Sequence, residues 1–304
     1  MTVITAAGGD QTATLNSAFS TASSAGQHVD LHGTFDIQTG DTLTYVDGVA
    51  WTGWPRFTGG DLTTDEVCLT IPSVTSGRIC GRFDGEKTKD TAVAIAIKAG
   101  TSDPLVGFRD ARVDVDVYGW KTGIDWVGWS CREFRARISA CDTGISLHTA
   151  NGMTAFLHLV QNNDAGLIQL SNCLTLQNTV IEGNVAGLEI DGATGTSNRS
   201  LVLNNLYFES NYSSGSTPST GTNAALYVHD ISDPVVWTAG QIGGSEVYFE
   251  DCDNLIILAD PSMLTGGTMK VNNCTVTYGG GIYQGATRVP TKKYYGSTTT
   301  IYEP

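Results

Sequence analysis

No stretch of the chain approaches the ~18 consecutive apolar residues of a membrane span, so no membrane partner is expected. The opening residues, MTVITAAGGDQ, have neither a basic n-region nor an apolar h-region, and no secretory signal is expected there. Basic side chains are scarce. Against 31 Asp and Glu stand 17 Lys and Arg, giving a formal charge of -14, and the first basic residue is Arg56. Binding a phosphate backbone needs Lys and Arg clusters, so no nucleic acid is expected as partner. Strongly anionic substrates are disfavoured as well, unless a local patch opposes the average. The seven cysteines make no CxxC pair and no zinc-like spacing with histidine. Reduced, structural thiols in a chain folded in a cytosol are expected, with no cofactor. His28, Asp30 and His32 alternate on one face but lack a fourth ligand, so no metal is expected there.

What the chain does have is turn-formers and a repeat. Its 36 glycines and many Ser, Thr and Asn suit a structure made of short strands and turns. Val117, Ile138, Val160 and Ile181 are spaced 21, 22 and 21 residues apart. Each is followed seven residues on by Ile124, Ile145, Leu167 or Leu188, themselves preceded by Gly123, Gly144, Gly166 and Gly187. Apolar residues at fixed phase over such a period mean stacked units, none able to bury its hydrophobic face alone. At roughly 3.3 Å per strand residue, this period traces one coil of short strands. Phe208 and Phe249 extend the core column. The expected fold is all-β, a single-stranded right-handed parallel β-helix (solenoid) with an N-terminal capping helix.

The helix is expected over 10–25, with Asp10 as N-cap, an apolar face of Leu15, Ala18, Phe19, Ala22 and Ala25, and Gly26 as stop. It would cover the open core at the end of the solenoid. The expected organisation is 1–27 N-terminal segment and capping helix, 28–290 β-helix, and 291–304 an extended tail. Excursions are expected at 191–198, 212–222 (YSSGSTPSTGT), from His229 to Ser245, and at 259–267.

The run GGDQTATLNSAFSTASSAGQHVDLHGTFDI resembles the opening of the pectate-lyase-like β-helices of phage tailspikes and capsule or O-antigen depolymerases, with Phe35 where that pattern usually has Tyr. Rungs such as TVIEGNVAGLEI and LYFESN resemble the same family. The resemblance covers about residues 8–285. It implies a phage tailspike or tail-fibre protein on the virion tail, a homotrimer working with other phage tail proteins. It also implies recognition, and possibly hydrolysis, of a bacterial surface polysaccharide. A non-enzymatic receptor-binding or structural tail protein, and a free polysaccharide hydrolase or lyase, stay open beside it. No GxSxG motif is present, nor the GHG and NTD–DD–RIK set of polygalacturonases.

Beside the core column stand Ser139, Gln161, Glu182, Glu209 and Glu250, with Asn163, Asn184 and Asn211 two residues on. Carboxylates on adjacent coils, about 5 Å apart, repel by about 3 kcal/mol at an effective dielectric of 20, so sharing a proton relieves them. Glycoside hydrolysis needs one such carboxyl as acid and one as base or nucleophile. Glu182, Glu209 and Glu250 are therefore the catalytic candidates, with Asp230, Asp233, Asp251 and Asp253 as further partners. Trp120, Trp129, Tyr207, Asn184 and Asn211 are the glycan-binding candidates, the tryptophans by ring stacking. Stacked Glu can equally splay into water, and Glu–x–Asn can simply end a strand at a turn. Trp126 and His158 are expected in the core, and Asp164 in a turn before Gly166.

Overall fold

The computed structural model describes residues 1–72, 76–87, 91–100, 108–127, 131–193, 199–211, 224–243, 245–258, 268–278, 293–295 and 300–302. Two compact units divide the chain at Met1–His148 and Thr149–Pro304. In both, the strands pair in parallel with partners one coil away, and apolar side chains stack inward. This is the parallel β-helix.

In Met1–His148 one inward column runs Phe35, Phe57, Phe83, Val117 and Ile138, each registered against the next. A second runs Leu43, Leu69, Ile97, Ile124 and Ile145. All ten side chains are buried. Strand periodicity explains why: alternate residues face inward, and parallel register places like on like. Phe57 lies between Phe35 and Phe83, with ring centroids 5.8 and 5.0 Å away.

The helix spans Thr12–Ser24 and buries Leu15, Phe19 and Ala22. Phe19 stacks on Trp51 at 5.0 Å. Asn16 receives the Thr44 amide and donates to the Thr42 carbonyl, pairing a strand edge that the first coil would leave open. Asp10 accepts from the Thr12 amide at 3.0 Å, although Gln11 occupies the cap position itself. Gly26, at φ +60, ends the helix in the left-handed conformation that glycine adopts without steric cost. One element was not expected: Thr2–Thr5 is a strand, paired in parallel with Val29–His32.

In Thr149–Pro304 the register corrects the expected column at two points. Ile181 lies beside Leu159, not Val160, which is half-exposed and faces out beside Glu182. Phe249 does not continue from Phe208. It belongs to a separate inward column of Ile168, Ile190, Val228, Phe249 and Val271. Leu167 likewise points outward beside Glu189, and Leu188 registers with Gly166. A third column holds Leu174, Leu201, Val235, Leu255 and Val276. His158, expected in the core, is exposed, as is Cys173.

Most of the expected excursion from His229 to Ser245 is strand, within Leu226–Gly243. The tail expected over 291–304 adds two more strands in register: Lys293–Tyr295 beside Met269–Val271, and Thr300–Tyr302 beside Thr275–Thr277. The loops expected at 212–222 and 259–267, and Trp129, lie outside the described residues.

Candidate functional site

Glu182 and Glu209 are neighbours in register, both half-buried on the outward face, as their shared phase implied. The Tyr207 hydroxyl donates to Glu209 Oε2, and this bond raises the Tyr207 pKa. Tyr207 is thereby tied to its own strand. Val160 and Gly243, on the flanking coils, add no titratable group.

The asparagines expected to meet a glycan are a buried ladder. Asn184 is 1% exposed and Asn211 3%. Asn162 Nδ2 donates to Asn184 Oδ1 at 2.9 Å, and Asn184 Nδ2 to Asn211 Oδ1 at 3.2 Å. Asn184 and Asn211 also donate to the carbonyls of Leu159 and Ile181, both at 2.7 Å. Asn162, not Asn163, is the third member, because the register has slipped by one residue from that expected. These side chains satisfy backbone at a turn, where positive φ recurs at Gln161 (58), Gly183 (65) and Ser210 (52). Asn184→Ala should cost about 1–3 kcal/mol by stranding buried polar partners. A shifted urea midpoint checks this; an unchanged one means water replaces the amide.

Trp120, expected to be exposed, is 1% exposed, and its indole N–H donates to the Phe83 carbonyl at 3.1 Å. It is a core side chain. Trp126 is buried as expected, edge-on to Phe134. Asp164 accepts from the Gly166 amide at 2.9 Å, the turn role expected of it.

Glu250 is not in the Glu182–Glu209 column. It registers with His229 and Asn272, on the outward face of the strands that carry Phe249. There the strands Ala186–Asp191, Leu226–Gly243 and Glu246–Ile257 bring a dense polar cluster together. Glu189 lies beside Tyr227 and Tyr227 beside Tyr248; Asp191 lies beside His229. His229 Nε2 is 2.8 Å from Glu189 Oε1, and its Nδ1 is 2.7 Å from Asp230 Oδ2 and 3.8 Å from Asp191 Oδ1. Both ring nitrogens face carboxylates, an arrangement that the doubly protonated ring fits. Burial opposes that charge, yet the bonds to Glu189 and Asp230 and the charge of Asp191 outweigh it, raising the His229 pKa to about 9. His229 is a cation at neutral pH.

Tyr227 stacks on His229 at 4.4 Å and on Tyr248 at 5.2 Å. Its hydroxyl donates to Glu250 Oε2 at 2.5 Å, while Tyr248 and Asn272 donate to Oε1 at 2.7 and 2.8 Å. Desolvation raises the Glu250 pKa, but these three bonds outweigh it and the net shift is downward. The Tyr248 pKa is pushed up to about 12, first by burial and then by Glu250. Gly192 permits the assembly: a Cβ there would stand 2.3 Å from the Asp230 carbonyl oxygen.

Asp191, His229 and Asp230 offer ligand atoms within 4.8 Å of one another, so these three could hold a metal ion. A proton on His229 competes with that use. His229, Glu189 and Asp191 were missed in the sequence. The signal available was the outward phase of Glu189, Asp191, Tyr227, His229, Tyr248 and Glu250 around Ile190, Val228 and Phe249.

No protein-family model matches the chain, and no curated protein matches it. Among solved structures, the A-module of a mannuronan C-5 epimerase from Azotobacter vinelandii is similar. It is 13% identical, with 97% of this chain and 94% of that chain covered and a TM-score of 0.45.

Proposed function

We propose that this chain recognises and hydrolyses a bacterial surface polysaccharide at the His229 face, as a phage tailspike or tail-fibre protein does. The observation that carries the reading is the sign of the site: Glu189, Asp191, Asp230 and Glu250 surround one cation, His229. Glycoside hydrolysis passes through an oxocarbenium-like state in which positive charge grows on the sugar, and a field of carboxylates stabilises that charge. Lyase or epimerase chemistry on a uronate builds negative charge instead, which this face opposes. The leaving oxygen displaces Asp230, the more exposed of the two carboxylates bonded to the His229 ring, and takes the Nδ1 proton. Glu250, on the next coil, activates water or attacks the sugar. Tyr227 and Tyr248 fix Glu250 and present ring edges to the glycan.

The experiment is to incubate the chain with purified capsule and O-antigen polysaccharides, following reducing ends and absorbance from unsaturated uronates. Reducing ends without unsaturation support hydrolysis. Unsaturated products overturn it, and binding without any release leaves the receptor-binding protein in its place.

Adjacent register favours a second centre at Glu182 and Glu209. Glu182→Gln or Glu209→Gln abolishing turnover while His229→Gln spares it would move the chemistry there. Homotrimeric assembly belongs to the same proposal; a stable monomer at micromolar concentration in sedimentation equilibrium would remove it.

A further inference from the structure

The chain is acidic, yet six of its ten arginines share one outward face of the Met1–His148 unit. Arg56, Arg82, Asp116 and Arg137 form one registered row across the strands Arg56–Thr58, Ser76–Asp84, Phe108–Tyr118 and Cys131–Ser139. Arg78, Arg112 and Glu133 form a second row, and Asp114 and Arg135 part of a third between them. Arg78, Arg82, Arg112, Arg135 and Arg137 are exposed. Some are engaged: Arg56 and Arg82 both reach the buried Asp84, at 2.8 and 3.0 Å, and Arg135 pairs with Glu133 at 2.5 Å. Arg78 stands 3.9 Å from Asp114. Arg112 and Arg137, among the described residues, have no ion-pair partner. At the end of the same face Tyr118 is 41% exposed, in register between Asp84 and Ser139.

We propose that this face binds an anionic polysaccharide, a sugar chain bearing carboxylates, independently of the His229 face. Three features of this face select that partner. Free guanidinium groups present forked donors that match a carboxylate. Successive members of a row stand one coil apart, about 4.8 Å, of the order of one sugar residue. Arg112 and Arg137, offset by four residues on adjacent strands, are about 13 Å apart along the strand direction, of the order of three. Tyr118 offers an aromatic face on which a sugar ring can stack.

Interspersed Asp114, Asp116 and Glu133 argue against a nucleic acid. Duplex DNA carries a charge every ~1.7 Å and would meet repulsion at every acid. A sugar chain has hydroxyls between its charges, and those hydroxyls can donate to the same carboxylates.

The test is titration calorimetry with polygalacturonate, uncharged dextran and duplex DNA, at low and high salt. The parent should bind polygalacturonate alone, weakening steeply with salt. Arg112→Gln/Arg137→Gln, which breaks no ion pair among the described residues, should bind at least tenfold more weakly with an unchanged melting temperature, and Tyr118→Ala should weaken binding further. His229→Gln should bind like the parent, which separates this surface from the proposed hydrolytic site. The proposal is overturned if the parent shows no salt-sensitive binding of polygalacturonate. It is equally overturned if dextran or DNA binds as tightly, or if the double variant keeps parental affinity.

Discussion

His229→Gln is expected to lower glycan turnover by about 10²–10⁴-fold, the usual worth of a positioned proton donor, with glycan binding retained. Glutamine keeps a hydrogen-bond donor near Glu189 but has no proton to give. The pH dependence follows from the same group. Its folded pKa is raised to about 9, above the ordinary value of about 6.5. The charged ring therefore stabilises the fold fully below about 6.5, and that contribution is lost as pH rises through about 9. Turnover should follow the same alkaline limb, because the acid form disappears with it. The parent should lose melting temperature between these two pH values, and His229→Gln should show no such loss. Equal alkaline limbs in parent and variant would mean that His229 does not titrate in this range.

The second large effect is on folding. Phe57→Ala should destabilise the chain by about 3–5 kcal/mol, the range for a phenylalanine truncated in a core. Phe57 is 0% exposed and sits between Phe35, Phe83 and Trp51, whose ring centroid is 5.5 Å away. Collapse into the gap is restricted, because backbone register holds each coil at fixed spacing from the next. Denaturant unfolding measures the loss. A shift under about 1 kcal/mol would show that the coils close over the space and that the column is less rigid than its pairing implies.

These two positions also show what the sequence disclosed. The coil period, the helix face of Leu15, Phe19 and Ala22, and the Glu182–Glu209 pairing were legible because each depends on phase alone. Phe35, Phe57 and Phe83 were not read as the start of the Val117–Ile138 column, since loops of unequal length break the period between them. The one-residue slip at Leu159–Val160 has a different cause. Two adjacent apolar residues satisfy the same hydrophobic pattern, and only pairing decides between them, here fixed by the Asn162–Asn184–Asn211 ladder. The His229 face stayed hidden behind Phe249. Assigning that residue to the Phe208 column put Glu250 beside Glu209, whereas Leu226–Gly243 runs on as a single strand that serves two columns in turn.

The backbone beneath the site has an evolutionary consequence. Asp230 sits at φ +56, and its neighbours on the next coils repeat the conformation, Asp251 at +50 and Asn273 at +48. A residue with a side chain is strained there by about 1–2 kcal/mol, while glycine gives up about 0.5–1 kcal/mol in chain entropy to adopt it. The backbone alone is thus indifferent to glycine at 230 or gains slightly from it; what folding loses with the Asp230 carboxylate is its pairing with His229. Where His229 is itself lost, drift at this codon should run toward glycine without a folding barrier. A lineage that keeps aspartate here is paying attention to His229 rather than to the bend.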